Sequence, residues 1–190
     1  MNLALKILGV LVVGTVLGLF VTWFTVFDGT MPGGVSDGPW STNLAVGSPQ
    51  SDPYTRASTA VHGLLALNRE ETLYYTAMRD GDGRPLDGAC RYVITGRDPD
   101  TRWWSITAYG TDDFLIANPA NRYSVAMTTI ARAKDGGFTV QVGGLGDGTN
   151  WIPTASGRFS LTLRLYNPAP TIAIDPEHAT LPSLKKASCP

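Results

Sequence analysis

The residues of this chain that could do acid–base or nucleophilic chemistry are few and widely spaced. The two histidines, His62 and His178, are far apart in sequence, and neither stands near a cysteine, so zinc-ligand spacing is missing. Ser58 and His62 would share one face of a helix. A catalytic triad also needs a group that orients the histidine, and the sequence offers none. We find no recognisable catalytic set, we expect neither metal nor cofactor, and the sequence leaves open whether the protein is an enzyme.

Two Gly- and Asp-rich segments resemble ion or phosphate loops only in part. The segment "DGDG", residues 80–83, resembles the start of a calcium loop, but the twelfth position is Arg91 where such a loop needs Glu. The segment "GGLGDGTN", residues 143–150, would suit a phosphate if a helix followed directly, and "WIP" follows instead. We interpret the first segment as a hairpin turn and the second as a mobile hairpin loop.

Polar residues with aromatic neighbours are better candidates for a ligand site. Trp103 and Trp104 are adjacent, so on a strand they point to opposite faces, one into the core and one onto a second surface or a ligand. The favoured interpretation of the Asn and Arg residues is turn capping and cross-strand pairing; ligand binding is the alternative. The candidate ligand-binding residues are Trp103, Trp104, Tyr109, Asn118, Asn121, Arg122, Asn150, Trp151, Arg164 and Tyr166.

The elements that would position these residues are mostly strands. Apolar and polar residues alternate in short runs that are separated by turns every ~8–12 residues, which predicts an antiparallel sandwich or barrel. The clearest run, "FSLTLRLYNP" at residues 159–168, places four large apolar residues on one face and Arg164 on the other. One short peripheral helix is predicted in residues 51–67, with Asp52 as the N-cap and Pro53 at the first helical position.

The first 27 residues form a separate apolar segment. From Leu3 to Phe27 the only charged residue is Lys6, and a helix of this length would span roughly 37 Å against a hydrocarbon core of about 30 Å. We predict a transmembrane signal anchor over residues 1–27. A cleaved signal peptide is the less favoured alternative, because the apolar run exceeds the usual ~7–15 residues and no A-x-A-like site follows.

The flanking charges predict the orientation of this anchor. Lys6 precedes the span and Asp28 follows it, so the positive-inside rule places the N-terminus in the cytoplasm and the rest outside it. Gly14 and Gly18 form G-x-x-x-G, a spacing that allows a helix–helix dimer, although Gly is also common in membrane helices.

Composition divides the rest of the chain into two parts. Residues 28–50 are rich in Gly, Pro and Ser and are predicted to be a tether, whereas residues 51–190 form the main domain. Cys90 and Cys189 would pair if that domain faces an oxidising space; otherwise they are two unpaired thiols. The formal net charge is −1 and no basic patch is present, so we expect no nucleic-acid partner.

Three ordered motifs resemble the domain-of-unknown-function family 1214. They are "RWWSITAYGTDDFLIANPANRYSV", "DGGFTVQV" and "NWIPTASGRFSLTLRLYNPAP", and with a trailing "LPSLKKA" the match lies mainly within residues 91–187. Two departures are the short Gly loop before Asn150 and "TASG" in place of "APxG". The resemblance implies a mainly β protein, an antiparallel β-sandwich of jelly-roll type, here with an N-terminal transmembrane helix and one short peripheral helix.

The resemblance also implies roles for single residues. Trp151 and Pro153 would fix the entry to the last long strand. Arg164 would bond carbonyls or Asn side chains of adjacent turns, and Tyr166 and Pro168 would end pairing at the sheet edge.

The resemblance further implies a companion, the domain-of-unknown-function family 1254, which is fused in larger relatives and would here be a separate envelope protein. We therefore expect a single-pass protein of the bacterial inner membrane with a periplasmic or extracytoplasmic domain. That domain would be an interaction module for another cell-envelope protein. The alternative is a binding protein or hydrolase for small glycans or amphiphiles, which would need a concave pocket that combines Trp103 or Trp104 with Arg122 or Arg164.

Overall fold

A computed structural model describes residues 2–27, 34–62, 66–144, 146 and 148–189, and it is mainly β. The helices are α1 (Leu3–Phe27), α2 (Pro53–Val61) and α3 (Pro170–Ile174), followed by a 3₁₀ turn at Pro176–His178. The strands are β1 (Gly34–Asp37), β2 (Trp40–Asn43), β3 (Thr72–Ala77), β4 (Arg91–Gly96), β5 (Thr101–Gly110), β6 (Ser124–Ala126), β7 (Phe138–Val142), β8 (Trp151–Ile152), β9 (Phe159–Pro168) and β10 (Ser183–Ser188).

The strands form two sheets. The larger has the order β1-β2-β3-β9-β5-β6 and is antiparallel throughout; the smaller has the order β10-β4-β7-β8. In the smaller sheet β7 and β8 run parallel, so the expectation of a fully antiparallel fold is wrong there. The segment 143–150 joins these two parallel strands and is therefore not a hairpin loop; its residues 145 and 147 lie outside the described residues. The jelly-roll type stays a prediction.

One hydrophobic core joins the inner faces of both sheets. Trp104 on β5 stacks on Phe138 of β7 at 4.9 Å between ring centroids, and Tyr92 on β4 meets Phe159 of β9 at 5.8 Å. The predicted alternation along β9 is confirmed, since its four apolar residues Phe159, Leu161, Leu163 and Leu165 are all buried. The polar side chains of the same strand consequently face away from the core.

Part of the predicted tether belongs to the larger sheet. Residues 34–43 form the β1–β2 hairpin, and Ser41 of β2 pairs with Thr76 of β3. Trp40 is 1% exposed, and its indole Nε1 donates to the Pro182 carbonyl at 2.7 Å. The burial of Trp40 thus places this segment in the fold, although its Gly- and Pro-rich composition resembles that of a linker. Residues 28–33 lie outside the described residues.

The helix α2 begins where the sequence predicts. The Asp52 carboxylate accepts hydrogen bonds from the Tyr54 and Thr55 amides at 2.9 and 3.2 Å, and Pro53 occupies the first turn. Helix α1 is in contact with α2. The short helix α3 was not predicted, because its five residues carry no periodic pattern long enough to detect.

Helix α1 is apolar along its whole length. Its 25 residues have a mean hydropathy of 2.4, so by length and composition it could cross a membrane, although a signal sequence would pass the same test. Val26, near its C-terminal end, is the buried residue of this helix within the described chain.

The two cysteines are joined. Cys90, just before β4, forms a disulfide with Cys189, just after β10, and closes a sequence separation of 99 residues. Because β10 and β4 are paired, the bond fastens the end of the chain to the smaller sheet.

Two strands differ from what their sequences suggest. The alternating run "RYSVAMTTI", residues 122–130, forms a strand only over β6, because the Thr129 hydroxyl accepts from the Ala126 amide at 3.1 Å and closes a turn. Pairing of β9 with β3 ends at Tyr166 and pairing with β5 ends at Pro168, as expected, but β9 lies between these two strands and not at the edge of the sheet.

Candidate functional site

The outer face of the larger sheet carries a row of hydroxyl side chains. Strand register places one Ser or Thr of each strand opposite the next, and we call this set the hydroxyl row. In sheet order its members are Ser36, Ser41, Thr76, Thr162, Thr107 and Ser124. On a pleated sheet such neighbours lie about 4.7–4.9 Å apart from strand to strand.

A cleft of about 390 Å³ lies between this outer face and α2. Its volume falls in the range of ligand pockets, roughly 300–1,000 Å³. Its lining residues are Gly34, Ser36, Ser41, Thr42, Asn43, Val46, Ser58, Thr59, His62, Tyr74, Thr76, Met78, Tyr109, Asp113, Ser160, Thr162 and Arg164. Among the described residues the lining is therefore rich in hydroxyls, with Arg164 and Asp113 as its charged Arg and Asp side chains.

Arg164 is the half-buried cation of this cleft. Its Nη2 donates to the Tyr109 hydroxyl at 2.8 Å and its Nη1 to Thr107 Oγ1 at 3.5 Å. Its guanidinium carbon lies 5.9 Å from the Tyr74 ring centroid and 5.4 Å from that of Tyr109. The expectation that Arg164 bonds turn carbonyls or Asn side chains is wrong, and within the described residues it has no acidic partner.

Ser58 and His62 of the α2 region line the opposite wall. The Ser58 hydroxyl lies 3.4 Å from His62 Nδ1, but the same Nδ1 lies 2.8 Å from the Ser58 carbonyl oxygen. A carbonyl only accepts, so the shorter contact places a proton on Nδ1. His62 Nδ1 consequently cannot take a proton from Ser58, and the pair lacks the geometry of an activated nucleophile.

The rim of the cleft combines an acid and an exposed thioether. Asp113 has a positive φ of 62° in the loop after β5, and its side chain is exposed. Met78 is 64% exposed at the end of β3. A negative charge at the rim faces solvent, whereas the positive charge of Arg164 is recessed.

The two adjacent tryptophans separate as predicted, one inside and one outside. Trp104 is fully buried, and its Nε1 donates to Asp98 Oδ1 at 2.9 Å, so it belongs to the core. Trp103 lies on the outer face, where it meets the Tyr166 ring edge-on at 5.2 Å. Neither tryptophan lines the cleft, so the predicted combination of a Trp with an Arg does not occur there.

The pair Asp98–Arg132 supports the buried Trp104. Burial alone would raise the pKa of Asp98, but hydrogen bonds from Arg132 and Trp104, together with the charge of Arg132, outweigh it and leave the pKa below its ordinary value. Arg132 Nη2 lies 2.8 Å from Asp98 Oδ1.

Three candidate residues of the 118–122 loop hold that loop together. Asn118 accepts from the Arg122 amide at 3.1 Å and donates to the Arg122 carbonyl at 2.8 Å. Asn121 has a positive φ of 49°, which Asn tolerates in turns. The Arg122 guanidinium donates to the Gly148 carbonyl at 2.8 Å. The favoured interpretation of turn capping fits these contacts.

Asn150 and Trp151 organise the start of β8. The Asn150 side chain accepts from the Ala131 amide at 2.8 Å and donates to the carbonyls of Ala131 and Thr139 at 2.6 and 3.0 Å. Trp151 Nε1 donates to the Gly143 carbonyl at 3.2 Å. Neither residue lines the cleft, so Tyr109 and Arg164 are the candidate residues that line it.

Sequence reasoning missed most of the cleft. Tyr74, Thr76 and Thr162 were not candidates, although the sequence alternates hydroxyl and apolar residues on β3 and β9. The usable signal was the polar face of β9 around Arg164. Strand pairing between residues about ninety positions apart brings β3 beside β9, and a single sequence does not reveal this pairing.

A family model described as "Protein of unknown function (DUF1214)" matches residues 71–170. The chain belongs to the DUF1214 family. In this DUF1214 chain the matched segment runs from just before β3 through the end of β9 and contains Tyr74, Tyr109 and Arg164. The β1–β2 hairpin, which continues the sheet that floors the cleft, and α2, which forms the opposite wall, precede it.

Solved structures resemble the DUF1214 chain as well. The VPA0106 protein from Vibrio parahaemolyticus is 27% identical, with a TM-score of 0.61, and the match covers 73% of this chain and 36% of that one. An uncharacterised protein from Burkholderia cenocepacia is 16% identical, with a TM-score of 0.44, over 88% of this chain and 38% of that one. This chain thus spans about a third of the length of both. A search of curated proteins finds no match.

Proposed function

We propose that this DUF1214 chain is a membrane-anchored binding protein whose cleft takes a small ligand through a negatively charged group. The observation that carries the proposal is the recessed guanidinium of Arg164, which lies in a cleft without an acidic partner among the described residues. This is close to the binding branch of the alternative function, but the cleft combines Arg164 with Tyr74 and Tyr109 and not with a tryptophan.

The contacts of Arg164 leave it suited to an anion. A guanidinium has five N–H donors, and two of them meet neutral oxygens of Tyr109 and Thr107. The rings of Tyr74 and Tyr109 hold its plane by cation–π attraction, which does not neutralise the charge. A half-buried cation of this kind gains most from a carboxylate or phosphate, to which it can donate two parallel hydrogen bonds.

The location of the domain is the second part of the proposal. α1 would anchor the chain in the bacterial inner membrane, with Lys6 on the cytoplasmic side and the cleft domain outside the cytoplasm. The disulfide between Cys90 and Cys189 supports this side, because such bonds form and persist in oxidising compartments.

The position of the proton on His62, the one histidine among the described lining residues, favours binding over hydrolysis. The Ser58 carbonyl holds the proton of His62 on Nδ1, so the nearby Ser58 hydroxyl has no base on that side.

Thermal unfolding of the full chain in detergent tests the proposal. In a panel of small carboxylates, alcohols and amines, the anionic members should raise the Tm. At a ligand concentration a hundredfold above Kd, the gain in the free energy of unfolding should approach about 2.7 kcal/mol. Arg164→Ala should abolish this gain. Arg102→Ala is the matched control, since Arg102 is exposed and lies outside the cleft. A gain that survives in Arg164→Ala would contradict the proposal.

A second function, as an interaction module, is favoured by the length of a relative. The VPA0106 protein is matched over 36% of its chain, so most of it lies outside this domain. We propose that a separate envelope protein, carrying the family 1254 domain, supplies the corresponding part here. Cross-linking at native expression should recover that protein with the full chain; recovery of the chain alone would contradict this function.

A further inference from the structure

We propose that the ligand of the cleft is a polyhydroxylated monoanion, such as a sugar acid or the headgroup of a hydroxyl-bearing anionic lipid. This inference rests on the proposed function, which supplies the anion at Arg164. It adds the rest of the ligand, and it is carried by a different observation, the hydroxyl row.

The hydroxyl row forms much of the cleft floor. Four of its six members, Ser36, Ser41, Thr76 and Thr162, line the cleft. The hydroxyls of Thr76 and Thr162 have no hydrogen-bond partner among the described residues, and Thr162 is only 7% exposed. Both hydroxyls lie in the lining of the cleft, so they are available to pair with a polar group of a ligand in place of water.

The chemistry of this floor matches hydroxyls better than further anionic groups. A Ser or Thr hydroxyl donates one hydrogen bond, accepts two and rotates to suit its partner. Ligand hydroxyls need both kinds of partner, whereas an anionic oxygen needs donors only. Rows of such groups along neighbouring strands therefore suit a chain or ring of carbons that each bear a hydroxyl.

The charges of the described lining residues favour a ligand with one negative charge. Among these residues Arg164 is the one Lys or Arg, and the acid Asp113 stands at the rim. A second anionic group that reached the rim would be repelled by Asp113, while a hydroxyl there could donate to it.

Such a ligand could come from a membrane lipid or from solution. α2, which forms one wall of the cleft, is in contact with α1, the proposed membrane helix. A lipid headgroup and a free sugar acid therefore share the chemistry, and the test separates them.

Two ligand pairs test the inference, each matched except for hydroxyls. Gluconate and hexanoate are six-carbon carboxylates, and their affinities would be measured by titration calorimetry on the full chain in a polyoxyethylene detergent, since a maltoside headgroup is itself a polyol. Phosphatidylglycerol and phosphatidylpropanol are monoanionic lipids, compared in nanodiscs by hydrogen exchange of β9 and α2 amides. We expect a preference of at least about tenfold for gluconate, or stronger protection by phosphatidylglycerol; the pair that responds identifies the source.

Variants decide whether the hydroxyl row causes the preference. Thr162→Val and Thr76→Val should each reduce it to about threefold or less without changing the response to the partner that lacks hydroxyls. Thr139→Val, an exposed position on the other sheet, is the control. Equal responses within both pairs, or a preference that survives in Thr162→Val, would overturn the inference and leave the anion site intact. Binding that is unaffected by Arg164→Ala would instead contradict the proposed function.

Discussion

At the scale of single residues, the stability of Arg164 variants distinguishes a binding role from a structural one. The sequence-based interpretation makes it structural, which predicts that Arg164→Ala lowers stability more than Arg164→Lys. The cleft geometry predicts that Arg164→Ala changes the free energy of unfolding by less than about 1 kcal/mol. The lost contact to Tyr109 and the cation–π attraction, about 0.5–1 kcal/mol, are offset when a half-buried unpaired charge is removed.

Asn150 provides the structural comparison for this prediction. Asn150→Ala removes three hydrogen bonds to backbone groups of Ala131 and Thr139, which at about 0.5–1.5 kcal/mol each should together cost about 1.5 kcal/mol or more. Urea unfolding of the full chain in detergent measures both variants. A loss for Arg164→Ala as large as that for Asn150→Ala would return Arg164 to a structural role.

Asp98 makes a second residue-scale prediction, which concerns pH. Its pKa is lowered in the folded state, so its contribution is present above the unfolded value of about 3.9 and disappears as the pH falls through the folded value. Asp98→Asn should therefore destabilise the protein by about 1 kcal/mol at pH 7, a modest figure because a third of the Asp98 side chain is exposed. Unfolding measured from pH 7 to pH 2 should show this difference shrinking. A constant difference would rule out the carboxylate as its cause.

At the scale of elements, the sequence reveals patterns but not partners. The alternation of β9 and the Asp52 cap of α2 follow from local chemistry, and both are confirmed. The β1–β2 hairpin escaped prediction because four-residue strands in a Gly- and Pro-rich segment carry too little periodicity, and only tertiary burial of Trp40 makes them strands. The parallel β7–β8 pair escaped for the same reason, since β8 has two residues.

The same limit applies to the site. Arg164 and Tyr109 were candidates because polar residues on a strand face are visible in the sequence. Which residues surround them in the cleft depends on the pairing register of strands that are distant in sequence, which brings Tyr74 opposite Arg164. The other candidates satisfy backbone groups or pack, and the sequence does not separate these uses because the same residue types serve both.

The disulfide makes an element-scale prediction. It fastens β10 to β4 across 99 residues, and the chain-entropy model gives on the order of 4–5 kcal/mol for such a loop. Cys90→Ser with Cys189→Ser should lower the urea midpoint, and reduction of the parent protein should lower it similarly. Two thiols that alkylate freely in protein taken from the oxidising compartment would contradict the bond.

At the scale of the whole molecule, the proposed orientation of α1 in a membrane predicts on which side the cleft lies. A reporter that is active only outside the cytoplasm, fused after Pro190, should be active, because Lys6 precedes the proposed span and Asp28 follows it. A fusion that works only with a cytoplasmic reporter would reverse the assignment. Fusion to a variant with Lys6→Glu, which weakens the inside signal, is the matched control.

The central claim is that the DUF1214 cleft binds an anionic ligand through Arg164. A structure of the full chain determined with gluconate, and again with phosphatidylglycerol, tests it most directly. The account predicts an anionic oxygen within hydrogen-bond distance of the Arg164 guanidinium and a ligand hydroxyl beside Thr162. A ligand seated elsewhere, or an Arg164 that contacts only Tyr109 and Thr107 while the cleft holds water alone, would contradict it.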